Sequence, residues 1–99
     1  MSATEASTRP APPNLIGGVK NVIRKTSPLE PPEVADPQEL RRDLKLSETA
    51  CKTLAGPFQK LARGYEPTAT ISMGDCVGLQ TVGEAVTLVA ARAGFTYES

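Results

Sequence analysis

Apolar side chains recur at helical spacing in three stretches of the chain, and each stretch predicts a main helix. The first helix is expected to be capped by Asn14 and to end near Lys25. The last is expected to be capped by Thr81, with Glu84 as the partner in a capping box, and to end near Ala93. The apolar positions of the three stripes are Leu15, Ile16, Val19, Val22 and Ile23, then Ala50, Leu54, Phe58 and Leu61, and finally Val82, Ala85, Val86 and Val89.

The middle helix begins at Ser47 and is interrupted by the dipeptide Gly56-Pro57. A proline ring clashes with the carbonyl group four residues earlier, which predicts either a kink or two short helices over 48–55 and 57–64. A further short helix is predicted between Ile71 and Leu79. Its expected buried residues are Met73, Val77 and Cys76.

A long proline-rich loop separates the first two main helices. The segment 26–37 contains four prolines, which forbid a regular helix there. We expect Leu29 and Val34 to anchor this loop in the core. A short helical turn over 37–44 then follows, with Leu40 and Leu44 facing inward. The predicted fold class is all-α, a small bundle of three main helices plus one or two short ones.

The first 13 residues differ in composition from the rest of the chain. They contain Ser, Thr, Ala and three prolines but no large apolar side chain other than the initial Met. Such a segment buries too little apolar surface to offset the entropy of ordering. We therefore predict a disordered tail over 1–13 and a single helical domain over 14–97.

Charge and composition narrow the classes of function. The 11 basic and 11 acidic residues balance, so no overall field attracts nucleic acid or an anionic membrane. The absence of histidine removes the commonest general base and metal ligand, which predicts that the chain is not an enzyme. No apolar run reaches the roughly 18 residues of a membrane span, and no signal-peptide pattern opens the chain, so a cytoplasmic location is expected.

The two cysteines, Cys51 and Cys76, form no C-x-x-C pair, so a zinc site is not expected. Two free thiols are the expectation for a cytosolic protein, although the sequence does not exclude a disulfide. We expect Cys51 to lie on or beside the apolar face of its helix, where a cysteine behaves as a small inert hydrophobe.

The order of helix, long loop, helix, short helix and helix resembles the acyl carrier protein family. Carrier proteins close the long loop with a phrase like E-V-x-x-x-x-x-F-x-x-D-L, and later carry I-x-T-V-x-x-A-I-x-x-I. The resemblance covers about Leu15 to Ala91. The matching positions are Glu33, Val34, Leu40, Asp43 and Leu44 for the first phrase, and Ile71, Leu79, Thr81, Val82, Val86 and Val89 around the second.

The centre of the family motif is altered in this chain. Carriers place a serine, which bears 4′-phosphopantetheine, five residues after the Asp of the D-L pair, and here that position is Glu48. Ser47 comes one residue early, so it could carry the group only if the loop were shortened by one residue. Carrier partners also usually meet an acidic second helix, whereas here Glu48 is set against Lys52, Lys60 and Arg63.

Three hypotheses follow. The first is a divergent, unmodified carrier-like domain, without a cofactor, that binds another protein through the second helix and its preceding loop. The second is a working carrier with 4′-phosphopantetheine on Ser47, in fatty-acid or polyketide-type acyl transfer with acyl-transfer or carrier-modifying enzymes as partners. The third, a small nucleic-acid-binding domain, is disfavoured by the neutral charge. For the protein-binding hypothesis, the expected contact residues are Arg41, Arg42, Lys45, Ser47, Glu48 and Lys52. For the nucleic-acid hypothesis, the basic residues are Lys20, Arg24, Lys25, Arg41 and Arg42.

Overall fold

The computed structural model describes residues 9–97, and in this range the chain forms an all-α bundle without strands. The predicted fold class is therefore confirmed. The helices α1 and α5 are the longest, and both pack against each other and against α3, while α2 packs against α4. The helices are α1 (Pro13–Thr26), α2 (Glu48–Thr53), α3 (Ala55–Arg63), α4 (Met73–Val77) and α5 (Val82–Arg92).

Helix α1 begins at two consecutive prolines rather than at a capping asparagine. Pro13 is its first residue, and the carbonyl oxygen of Pro12 accepts a hydrogen bond from Ile16 N at 3.1 Å. A proline suits this position because its fixed φ is helical and its missing N–H would have no partner inside the helix. The expectation that Asn14 caps the helix is therefore wrong. The predicted inward stripe is present, with Leu15, Val19 and Ile23 buried.

The ordered chain starts earlier than the predicted boundary at Asn14. Ala11 N donates to Thr96 O at 2.9 Å, and Thr96 N donates to Arg9 O at 2.8 Å, so this segment pairs with the chain after α5. Ala11 is also buried. Residues 9–13 of the predicted disordered tail are thus part of the fold, and residues 1–8 lie outside the described range.

The long loop between α1 and α2 is held by a few inward side chains. Val34 is buried as predicted, but Leu29 is 56% exposed, so the expectation that it anchors the loop is wrong. The segment 37–44 contains no continuous helix, but Asp43 N donates to Glu39 O at 2.9 Å, which closes a single helical turn as predicted. Leu40 and Leu44 point into the core as predicted, and Leu40 N donates to Gln80 O at 2.8 Å. That bond ties the loop to the residue just before the cap of α5.

The predicted middle helix is divided into α2 and α3, and the break between them is a single residue, Leu54. The prediction of two helices is confirmed, although the break comes earlier than the predicted gap at Gly56. Pro57 would clash with the carbonyl group of Thr53, and α2 ends at that residue. Leu54 keeps helical angles, with φ −68° and ψ −24°, and its carbonyl accepts from Phe58 N at 2.9 Å. Proline therefore lies in the first turn of α3, where it is tolerated.

Helix α4 begins with a capping box, for which the spacing Ser72-x-x-Asp75 is the usual sequence signature. Asp75 N donates to Ser72 Oγ at 3.1 Å, and Ser72 N donates to an Asp75 carboxylate oxygen at 3.0 Å. Cys76 is buried as predicted, whereas Met73 is 59% exposed, so its predicted burial is wrong. In so short a helix only part of one turn faces the core. Arg92 of α5 forms an ion pair with Asp75 at 3.1 Å, which joins the two helices.

Helix α5 begins and ends where the sequence predicts. Thr81 Oγ1 accepts from Glu84 N at 3.1 Å, but the Glu84 carboxylate accepts from Gln80 N at 2.9 Å instead of closing the box on Thr81 itself. After Ala93 the chain turns at Gly94, whose φ of +90° favours glycine. The core between the helices is aliphatic with one aromatic ring at its centre. Its fully buried large side chains include Phe58, Leu15, Ile23, Leu40, Leu44, Leu46, Leu54, Val82, Val86 and Val89.

Candidate functional site

The candidate site lies where the long loop enters α2. Ser47 is the N-cap of α2, and its Oγ accepts a hydrogen bond from Ala50 N at 3.1 Å. Its side chain is exposed, so the hydroxyl is reachable from solvent while it caps the helix. A capping oxygen of this kind satisfies one of the amide groups that the first turn leaves without a partner.

The loop before Ser47 alternates between buried leucines and exposed basic residues. Leu44 and Leu46 are buried on either side of Lys45, which has a left-handed backbone with φ +59°. Ser27 Oγ donates to Leu44 O at 2.7 Å, and Leu46 N donates to Leu40 O at 2.9 Å. These contacts fix the backbone of the loop, and the fixed backbone directs Lys45 outward. Arg41 and Arg42, which follow buried Leu40, are exposed as well.

Some of these charges have ion-pair partners and others have none. Arg42 lies 3.8 Å from a Glu39 carboxylate oxygen, and Lys52 lies 3.5 Å from that of Glu48. Both are exposed pairs, which contribute little to stability. Within residues 9–97, Arg41 and Lys45 form no ion pair and no side-chain hydrogen bond. We name the surface formed by Arg41, Arg42, Lys45, Ser47, Glu48 and Lys52 the α2 surface.

Glu48 influences what the N-terminus of α2 can bind. It is the first residue of the helix, and its carboxylate is the acidic group in the first turn. Negative charge is favourable there because the positive end of the helix dipole and the free N–H groups of the first turn lie at the N-terminus. A phosphodiester on Ser47 would occupy the same end of the helix and would face this carboxylate. The N-terminus of α2 favours a negative charge, but the Glu48 carboxylate already provides that charge.

The two cysteines provide no reactive thiolate. Both are free and fully buried, one on α2 and one on α4. Burial raises the pKa of Cys51; the Glu48 charge raises it further, and the Arg41 charge opposes both. Burial, with the neighbouring Asp75 and Cys51, raises the pKa of Cys76 to about 11. The expected inert role of Cys51 follows from this environment, since only the thiolate is a nucleophile.

A second cluster of polar residues, whose members lie far apart in the sequence, is found at the long loop. Tyr97 Oη donates to Asp36 Oδ2 at 2.5 Å, and Lys20 Nζ lies 2.9 Å from Asp36 Oδ1. Burial acts to raise the pKa of Asp36, but the Tyr97 hydroxyl and the Lys20 ammonium together lower it. Burial and the Asp36 carboxylate raise the pKa of Tyr97 to about 12.

This cluster holds three parts of the chain together: α1 through Lys20, the loop through Asp36, and the segment after α5 through Tyr97. Gly83 N also donates to Asp36 O at 3.0 Å, at the start of α5. Tyr97 and Lys20 each contact one oxygen of the Asp36 carboxylate; Oδ2 accepts a hydrogen bond, whereas the buried Oδ1 has the Lys20 ammonium beside it but accepts no hydrogen bond from residues 9–97. We therefore assign it a structural role. No local sequence pattern signals it, because its members lie far apart in the chain.

The described residues contain no group of three or more potential metal ligands, and no helix among them is long and apolar enough to cross a membrane. Of the basic residues considered for nucleic-acid binding, Lys20 is paired with Asp36, and Arg24 donates to Asn21 Oδ1 at 2.7 Å.

Comparison of the chain with protein-family models, with curated proteins and with solved structures finds no match. The resemblance to acyl carrier proteins therefore rests on the residues and spacing given above.

Proposed function

We propose that this chain is a divergent carrier-like domain that works without a prosthetic group and binds an acidic surface of another protein. The observation that supports this most is the α2 surface. Leu40, Leu44 and Leu46 hold its loop in the core, so the neighbouring basic side chains are presented on a fixed backbone. Arg41 and Lys45 have no ion-pair partner within residues 9–97, which makes them available to a partner's carboxylates.

The fixed backbone matters for binding because ordering a loop costs free energy. A loop that is already held by buried leucines and by the Ser27–Leu44 hydrogen bond loses less freedom on association. Exposed basic residues then contribute to the rate of encounter and to the choice of partner more than to affinity. The expected partner surface is acidic, since the α2 surface carries four basic residues and one acidic residue.

Site-specific photo-crosslinking tests this proposal. A photoreactive amino acid placed at position 49, an exposed residue of α2 that is not one of the charged contact residues, should capture a discrete partner from cells, while one at position 66, an exposed loop residue on another segment, should not. Adding Arg41→Glu and Arg42→Glu to the chain should abolish capture from position 49. Reversal of Arg24 and Lys25 at the end of α1 is the matched control and should leave it unchanged. Capture that survives the first reversal, or that is equal from both positions, would contradict the proposal.

A second candidate function is favoured by one observation, the exposed hydroxyl of Ser47 at a helix N-terminus. In this alternative Ser47 carries 4′-phosphopantetheine, and the free amides of α2 stabilise the phosphodiester. The prosthetic arm would supply the acyl chemistry, and the protein would supply position and recognition. The adjacent Glu48 carboxylate counts against it. This alternative predicts that a phosphopantetheinyl transferase labels the wild-type chain and not Ser47→Ala.

A further inference from the structure

An apolar groove runs between α1 and α3, away from the α2 surface. Its volume is about 630 Å³, within the range of roughly 300–1,000 Å³ typical of small-molecule sites. Leu15 and Val22 line it from α1, and Pro57 and Leu61 line it from α3. The two helices approach closely at Gly18, where an added Cβ would lie 3.0 Å from Leu61 Cδ2.

Among residues 9–97, the groove is lined by one charged residue, which has no ion-pair or hydrogen-bond partner in that range. Lys60 lines the groove and forms no ion pair or hydrogen bond within residues 9–97. Its neighbours in the groove are otherwise uncharged. A lysine lays its carbon chain along an apolar surface and keeps its ammonium at the edge. The complementary ligand therefore has an apolar body and a single negative charge at one end.

One end of the groove is formed by an aromatic ring that is held in place. Tyr65 is 44% exposed, and its ring packs edge-to-face against Phe95 with centroids 5.3 Å apart. The guanidinium of Arg9 lies 5.5 Å from the centroid of the Phe95 ring. This stack fixes Tyr65 with part of its ring open, which favours a ligand that is itself aromatic.

We infer that the groove between α1 and α3 binds an aromatic monocarboxylate, with its ring against Tyr65 and the apolar floor and its carboxylate beside Lys60. The inference is independent of the proposed function, because no residue of the α2 surface lines the groove. A small apolar acid would bind here without any covalent bond to the protein. The Lys60 ammonium favours this class over neutral or cationic ligands, and the fixed Tyr65 ring favours an aromatic body.

Three probes that share a naphthalene ring and carry a negative, a neutral or a positive head group test the inference: 2-naphthoate, 2-naphthylmethanol and 2-naphthylmethylammonium. Nuclear magnetic resonance titration should show naphthoate shifting the backbone amides of α1 and α3, with a Kd roughly fivefold lower than that of the alcohol. The ammonium probe should bind most weakly. Lys60→Glu should reverse the order of the two charged probes. Lys25→Glu, which changes the same charge outside the groove, should keep the wild-type order.

A groove-filling variant provides a second, independent readout. Val22 is only half-buried and lines the groove, so Val22→Phe should occupy it and weaken all three probes while the thermal midpoint shows that the chain is folded. The inference is overturned if no probe shifts the α1 and α3 amides. It is equally overturned if the charge order is the same in wild type and Lys60→Glu.

Discussion

The hydroxyl of Tyr97 donates a hydrogen bond at 2.5 Å to the carboxylate of Asp36, a residue 61 positions earlier in the chain. This contact closes the long loop against the segment that follows α5. Because Lys20 of α1 lies on the other oxygen of the same carboxylate, a single side chain joins the beginning, the middle and the end of the described fold.

Removal of this hydrogen bond should destabilise the fold measurably. We expect Tyr97→Phe to lower the free energy of unfolding by about 1 kcal/mol, because a partly exposed bond to a carboxylate is lost. Urea unfolding measures the difference. Tyr65→Phe is the control, since the Tyr65 hydroxyl makes no hydrogen bond within residues 9–97. Equal losses in the two variants would show that the Tyr97–Asp36 bond contributes nothing specific.

Asp36 should make stability depend on acid pH. Its pKa in the folded protein is lowered below the ordinary value of 3.8, so its contribution is present above that value and is lost as the pH falls through the folded pKa. The difference in unfolding free energy between wild type and Asp36→Asn should therefore shrink as the pH falls from about 6 to about 2. A difference that stayed constant over this range would show that Asp36 does not titrate as described.

Tyr97 should have the opposite dependence at alkaline pH. Its pKa is raised from 10.0 to about 12, so its contribution is complete below pH 10.0 and is lost as the pH rises through about 12. The stability advantage of wild type over Tyr97→Phe should disappear in this window. The comparison between the two proteins removes the effect of lysines that titrate in the same range. If wild type kept its full stability advantage over Tyr97→Phe above a pH of about 12, the raised pKa of Tyr97 would be ruled out.

Ser47 should contribute to stability as a helix cap whatever its function. Ser47→Ala should lower the free energy of unfolding by about 1 kcal/mol, and Ser47→Asp should restore most of it, because a carboxylate also accepts from the first-turn amides. Aspartate cannot carry phosphopantetheine, so this variant separates the cap from any attachment chemistry. Loss of stability in both variants would indicate that the cap is not the role being measured.

The buried thiols should react only when the chain opens. Cys51 and Cys76 are fully buried and both have raised pKa values, so labelling by a disulfide reagent near pH 8 should be slow in the native protein. Adding urea should speed the labelling of both residues in parallel with unfolding. The single variants Cys51→Ala and Cys76→Ala assign the two rates. Fast labelling of either thiol in native buffer would contradict the environment described for it.

Helical periodicity predicts well which residues of the long helices are buried. It predicts poorly which residues are buried in the short helices and the loops. The stripes at α1 and α5 predicted buried residues such as Leu15 and Val86, because several turns of one helix must all face the same core. Leu29 and Met73 lie in short or proline-rich segments, where no repeated pattern fixes which side faces inward. At Asn14 a capping side chain was expected, but the fixed φ of Pro13 determines the start of the helix instead.

Some features of the candidate site could be predicted from local sequence, and others depend on tertiary packing. The cap at Ser47 could be predicted, since serine before an apolar stripe is a local signal. The left-handed backbone at Lys45 could not be predicted, nor could the absence of an ion pair at Arg41 within the described residues, because both depend on how the neighbouring leucines pack. The contact between Asp36 and Tyr97 joins distant segments, and no local pattern encodes it.

We propose that this chain acts without a prosthetic group, and an intact mass measurement tests that proposal. The chain would be co-expressed with a promiscuous phosphopantetheinyl transferase and supplied with coenzyme A, alongside Ser47→Ala and Ser72→Ala. Ser72 is the matched control because it is also an exposed N-cap serine. We expect the mass of all three proteins to be unchanged. A gain of one phosphopantetheine in wild type and Ser72→Ala, absent from Ser47→Ala, would contradict it and make the protein a working carrier.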